Sequence, residues 1–367
     1  MSLGPLKLTP ILVEKPWGGR ALGRLFGRSI PDGVRVGESW EVSDRPGAQS
    51  RVAGGPQKDR TLEELREAFG EALVGTVAGA ASPGRFPLLI KWIDARETLS
   101  VQVHPDDGAA RALGESDPGK SEAWIVADAA PEARMIYGLR GPMDREAVVA
   151  AAAAGEIERH LGWVGAQPGD CFMVPPGAVH ALGAGIVIYE VQQNSNITYR
   201  LWDWGRKEAG GRPRDLHLSQ AGAVLDGGFV QKGPLPPVRI DLDGGSRRYA
   251  VACRHFAVEV LEVRPGGSLA DRCGGRSFHA LTVWAGHGEI IWEGGREGHS
   301  RLTPHASRLS LSPGETVLIP ASAGDYALTS ASGLKVIKAY VPDLAADVLT
   351  PLRRAGVEEE DMVGILH

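Results

Sequence analysis

The sequence predicts a mainly β protein built from two copies of one small β-barrel, with a helical portion attached to the first. Three observations carry this. The 49 Gly and 25 Pro favour many short elements joined by tight turns over a helical bundle. At 367 residues, two domains are the natural division. One pattern also occurs twice with the same spacing: Gly, an acidic residue, an apolar strand and Pro, from Gly169 to Pro175 and again from Gly314 to Pro320. A proline-dense stretch, Gly233 to Arg239, marks the linker and sets the expected domains at 1–235 and 236–367.

Hydrophobic residues make up 43% of the chain and charged residues 23%, values that allow a sizeable core. The net charge of −5 and the lack of a Lys/Arg block argue against nucleic acid or an anionic membrane as the main partner. Cys171, Cys253 and Cys273 are odd in number, far apart and in no CxxC pattern. That points to a reducing compartment, the cytoplasm, with no disulfide frame. No charged segment followed by an apolar one marks the start of the chain. No run approaches the roughly 20 apolar residues of a membrane span.

Taken in order, LKLTPILVEKPWGG begins as a strand and breaks at Pro16, Gly18 and Gly19, leaving Trp17 in a turn as a pocket wall or a plug. GESWEVSD is a strand with Glu38, Trp40 and Val42 on one face and Ser39, Glu41 and Ser43 on the other. Thr61 followed by Glu64 forms a capping box, and a helix is expected over about 61–75. PLLIKWIDA reads as a buried strand that carries Lys91 inside it. In LSVQVHPDD, alternation puts Ser100, Gln102 and His104 on one face and Leu99, Val101 and Val103 on the other. Running into Pro105, this polar face resembles the lip of a site.

GKSEAWIVAD then places Lys120, Glu122 and Trp124 on one face. An Ala-rich helix is expected over about 144–162, broken at Gly155. Gln167 to Gly183 reads as a hairpin whose returning strand begins at His180, and Ile186 to Arg206 as a strand pair that carries Glu190 and Arg200. In the second copy, Ser277 to Gly295 and Leu311 to Ser330 repeat the strand-and-turn order. There Asp325 stands five past its Pro, where the first copy has His180, and no His lies nearby in the sequence. The second copy is therefore expected to lack a metal site, with Trp284 and Trp292 packing between the barrels.

Read together, VQVHPDD, KSEAW, PPGAVHALG and NSNITYRLWDW resemble a type I mannose-6-phosphate isomerase of the short bacterial form. The resemblance runs from EKPWGG to DLHLSQA, more than half of the chain. It implies a double cupin fold and a metal site whose ligands match Gln102, His104, Glu122 and His180. Two imidazoles, one carboxylate and one amide oxygen suit Zn²⁺, one ion per chain, although another divalent ion fits the same ligand types. The implied reaction interconverts mannose 6-phosphate and fructose 6-phosphate through a cis-enediol, with a hexose 6-phosphate as the small-molecule partner of a monomer or weak homo-oligomer.

The resemblance assigns catalytic roles to Arg200, Lys120 and Glu190, and pocket positions to Ser100, Lys91 and Trp17. Both Lys120 and Glu190 are open as the proton-transfer base. Many long-form members carry an Asp-Asn pair shortly before the arginine; this chain has Asn196-Ile197, so another group must serve any role of that Asp. Two other functions fit a metal-binding cupin. A cupin oxygenase usually draws on three His and a Glu, and Gln102 replaces the third His. A sugar-phosphate sensor would need no base beside the metal.

Overall fold

The structure is a computed structural model that describes residues 3–207, 211–293 and 306–367; Gly294 and Gly295 of the second-copy motif lie outside it. Among these residues the protein is mainly β. The first strands are β1 (Leu6–Thr9), β2 (Ile11–Gly19) and β3 (Val36–Val42), then the short β4 (Asp44–Arg45), β5 (Ala48–Gln49) and β6 (Arg51–Val52). Next come β7 (Leu88–Ala95), β8 (Val101–Val103), β9 (Glu122–Ala129), β10 (Arg134–Leu139) and β11 (Leu161–Gly165). β12 (Cys171–Val174), β13 (His180–Ala181), β14 (Ile186–Gln193) and β15 (Tyr199–Trp202) complete the first half. The second half holds β16 (Val238–Leu242), β17 (Gly245–Ala252), β18 (Ala257–Val263), β19 (Gly267–Cys273) and β20 (His279–Gly286). It continues through β21 (Gly288–Trp292), β22 (Ser307–Leu311), β23 (Thr316–Ile319), β24 (Gly324–Ser330) and β25 (Leu334–Tyr340).

Two antiparallel sheets make the first half, in the orders β12-β9-β14-β7-β2-β3 and β11-β10-β13-β8-β15. The second half repeats them as β23-β20-β25-β18-β17 and β22-β21-β24-β19. Strands β7 to β14 correspond one for one to β18 to β25, with each pairing kept: β9–β14 becomes β20–β25, and β8–β13 becomes β19–β24. The short sequence repeat is thus the visible part of an eight-strand repeat. One exchange crosses the halves. β1 pairs with β23 and β6 pairs with β1, so both extend the larger sheet of the second half.

The cores follow these layers. The outer face of β8 packs Val101 and Val103 against Val148, Ala151 and Ala221 of the helical portion. Between the two sheets of the first half lie Ile93, Trp124, Tyr137, Phe172 and Ile188. The larger sheets of the halves pack back to back through Ile90, Trp92, Ile125, Val258 and Ile337. Trp284 packs at the edge of that contact, as expected. Trp292 instead packs against the interior of the second half, which contains Leu281, Ile290 and Leu328.

Several local expectations are corrected. The capping box at Thr61 and Glu64 is present, but the helix runs only over Leu62–Phe69. Gly70 and Gly75 break the rest into short turns. Gly75 has φ +94°, and a Cβ there would lie 2.3 Å from the Arg276 carbonyl oxygen, so the chain docks on the second half where only glycine fits. Arg145–Ala153 is helical, whereas Leu161 and Gly162 already belong to β11, paired with β10. A bulge between Trp40 and Val42 turns Val42 to face Ile90 in the core between the halves, away from Trp40. The two expected hairpins are crossings instead. β12 pairs with β9 while β13 pairs with β8 and β10, and β14 and β15 also lie in different sheets.

The second interior carries a polar centre. His279 is buried, and its Nδ1 lies 2.8 Å from the Tyr326 hydroxyl. Burial first, then the charge of Lys338, lowers its pKa to about 3. The unfolded chain therefore binds more protons as pH falls below about 6.5. Stability from the neutral imidazole is complete above that pH and is lost toward pH 3. At pH 5 the loss is on the order of 2 kcal/mol. Melting temperatures between pH 7 and pH 5 should fall more steeply for the parent protein than for His279→Leu.

Candidate metal centre and active site

The first interior joins one row of side chains from each sheet. On the smaller sheet, His180 of β13 and Arg200 of β15 both lie directly opposite Gln102 of β8. Directly opposed residues share a face, so the three side chains form one row, and His104 lies one step along from Gln102. On the facing sheet, Glu190 of β14 lies between Lys91 of β7 and Trp124 of β9, with Glu122 one step along from Trp124. Lys120 precedes Glu122 by two residues and shares its face.

These rows meet at His104, Glu122 and His180, all buried, whose potential ligand atoms lie within 4.8 Å of one another. The two histidines are oriented from behind. His104 Nδ1 lies 2.8 Å from the Ile197 carbonyl, and His180 Nδ1 lies 2.8 Å from the Ala178 carbonyl. Each ring donates its Nδ1–H there and presents an unprotonated Nε2 to the centre. Burial, then the charge of Lys120 for His104, depresses both imidazoles, with His180 lowered to about 3. Both are neutral near pH 7, the form that binds a metal.

Both carboxylate oxygens of Glu122 are buried without a hydrogen bond, and Oε1 lies 3.3 Å from His180 Nε2. Burial, reinforced by Glu190, raises its pKa to about 7 against the pull of Lys120. Such a carboxylate needs a cation. Lys120 Nζ answers it in this structure, 2.5 Å from Glu122 Oε2 and 3.3 Å from His104 Nε2. Gln102 Nε2 lies 3.3 Å from His180 Nε2, and half a turn of the amide presents Oε1 to the same place. Two imidazoles, a carboxylate and an available amide oxygen fit a divalent metal, with no thiolate to suggest a closed structural site.

Lys91 does not snorkel. It is buried, 3.1 Å from Glu190 Oε2 and 2.9 Å from Gln192 Oε1. Trp124 Nε1 donates to the other oxygen of Glu190 at 3.2 Å. Burial pushes Glu190 upward, but Lys91 and then Lys120 outweigh it and hold the carboxyl at about 2. The pair is therefore ionised.

Arg200 is half-buried. Its Nη1 donates to the Asp215 carbonyl at 2.7 Å, and its backbone N–H donates to His217 Nδ1 at 3.1 Å. Asp215 and His217, in the loop before the helix Leu218–Val224, were not singled out from the sequence. That loop has no periodicity to reveal them. Ser100 is buried just before β8. Trp17 is buried in the apolar cluster that contains Trp124.

Residues 6–129 match the family described as phosphomannose isomerase type I, catalytic domain. The chain is 42% identical over 296 residues to mannose-6-phosphate isomerase ManA of Bacillus subtilis, covering 79% of this chain and 89% of that protein. It is 35% identical over 290 residues to the mannose-6-phosphate isomerase of Streptococcus mutans, covering 78% and 86%. The crystal structure of the mannose 6-phosphate isomerase from Bacillus subtilis superimposes with a TM-score of 0.79 at 32% identity, over 92% of this chain and 99% of that one.

Proposed function

Because this chain belongs to the type I phosphomannose isomerase family, we propose that it interconverts mannose 6-phosphate and fructose 6-phosphate with a zinc ion at His104, Glu122 and His180. The observation that carries this reading is the donor set itself. Two neutral imidazoles and a buried, cation-seeking carboxylate converge beside a row of ionised side chains. Gln102 completes the proposed ligands through its amide oxygen. When bound, the metal supplies Lewis acidity, stabilising the negative charge that develops on the oxygens of C1 and C2.

The remaining chemistry falls to this chain's own side chains. Lys120 lies among the ligand atoms, so its neutral amine is the group within reach of a proton moving between C1 and C2. Glu190 is the alternative base, but the pairing with Lys91 that holds it at about 2 makes its carboxylate a weak one. We assign Lys91 to keeping Glu190 ionised, and Glu190 to fixing sugar hydroxyls. Arg200 faces the ring oxygen or the C1 hydroxyl, Ser100 contributes a hydroxyl beside Gln102, and Trp17 backs the Trp124 wall. These ionised groups around the metal site favour an isomerase over a sensor. The amide in place of a third histidine favours it over an oxygenase.

A coupled assay on the purified, metal-analysed protein tests the reading. Fructose 6-phosphate should form from mannose 6-phosphate, and the reverse reaction should run. Stoichiometric metal with no turnover of any hexose 6-phosphate would instead support a sensor.

A further inference from the structure

The repeat allows the two interiors to be compared position by position. Glu122 and His279 face the last residues of equivalent strands, Val174 and Ile319. His279 therefore stands where the first half has the carboxylate of its metal centre. This corrects the expectation that no histidine belongs to the second centre. Asp325, expected at the place of His180, pairs with Arg272 at 3.4 Å near the surface, and the buried Tyr326 next to it takes the inward position. By register, the Lys91–Glu190 pair corresponds to Glu259–Lys338, an ion pair kept with its charges exchanged.

Lys338 Nζ lies 2.8 Å from both Glu259 Oε2 and Asp271 Oδ2, and Arg247 Nη2 lies 3.0 Å from the same Asp271 oxygen. These groups line a cavity of about 190 Å³ whose mouth is formed by Arg276 and its partner Asp347. Two polar atoms are unused. The Nε of Arg247 is buried without a hydrogen bond, and His279 has Nδ1 engaged by Tyr326 but no hydrogen bond at Nε2 among the described residues. Every cation of the lining has an acidic partner: Arg247 and Lys338 share Glu259 and Asp271, Arg272 has Asp325, and Arg276 has Asp347.

We propose that this second cavity binds a small uncharged polyhydroxylated molecule, a free monosaccharide or polyol. A hydroxyl both donates and accepts, so it bridges a carboxylate and a neighbouring cation without disturbing their balance. It also satisfies the imidazole Nε2 and the guanidinium Nε. A phosphate would bring negative charge to a lining that already has a carboxylate for every cation. The volume is below the roughly 300 Å³ at which drug-sized pockets begin and suits a ligand of about a dozen heavy atoms.

Titration of the full-length, metal-loaded protein with D-mannose, D-fructose and D-mannitol, followed by calorimetry and saturation-transfer NMR, tests the site. At least one is expected to bind, with a Kd near or below about 10 mM, at a site that survives His104→Ala. His279→Leu and Arg276→Ala are each expected to weaken that binding at least about tenfold. Arg276 has a side chain 43% exposed, so its removal leaves the core intact. Binding of none of the three compounds at about 50 mM would overturn the proposal. So would binding that vanishes in His104→Ala yet persists in both second-half variants. Tighter binding of mannose 6-phosphate than of mannose in the His104→Ala background would overturn the assignment of an uncharged ligand.

Discussion

Stripping divalent metal with a chelator is expected to abolish the interconversion of mannose 6-phosphate and fructose 6-phosphate, and Zn²⁺ is expected to restore it. His104→Ala should reproduce the loss, with metal content falling below stoichiometric by elemental analysis. A Lewis acid supplies several kcal/mol at the developing charge, so the rate should drop by about 10³-fold or more. Turnover that survives complete metal removal would sink the mechanism. The pH dependence of metal uptake has a definite sign. His180 and His104 are already neutral well below pH 7, whereas burial raises Glu122 to about 7. Binding must displace that one proton, so affinity should weaken as pH falls below about 7, approaching tenfold per pH unit. A zinc titration against a competing chelator reads this directly, and an affinity flat from pH 7.5 to 5.5 would contradict it.

Arg200→Ala is expected to retain metal and to lose about a hundredfold in kcat. The guanidinium shares a row with Gln102 and His180 but is fixed by the Asp215 carbonyl, so its removal leaves the three convergent ligand atoms intact. If it acts only where charge changes during reaction, the loss falls on kcat more than on KM. Arg200→Lys should recover little, because one ammonium cannot hold both the Asp215 carbonyl and a sugar oxygen. Loss of metal in Arg200→Ala would mean that the residue supports the ligands rather than the substrate.

Much of this was legible in the sequence because β-strand alternation assigns faces. The Gln102 and His104 face, the Lys120 and Glu122 face, and the burial of Lys91 all follow from period two. Alternation does not say which sheet a strand joins. Pro175-Pro176-Gly177 and the residues after Gln193 read as tight returns, yet each carries the chain from one sheet to the other. That crossing is what brings His180 opposite Gln102 and Glu122 across from both. One extra residue at Glu41 reversed the expected face of Val42, and a one-residue offset before Tyr326 hid the inward position behind Asp325. His279 was missed because it is equivalent to Glu122 only through strand register, which no local motif displays.

The pairing of β1 with β23 also has a consequence for synthesis and dissection of the chain. A strand made among the first residues waits for a partner more than 300 residues later, since Leu6 faces Leu318. Such long-range closure slows folding and keeps an apolar strand exposed while the ribosome is still working. A fragment starting at the linker would present β23 with an open edge, a template for intermolecular pairing. Excised second halves should therefore aggregate unless residues 3–9 are supplied, in cis or as a peptide.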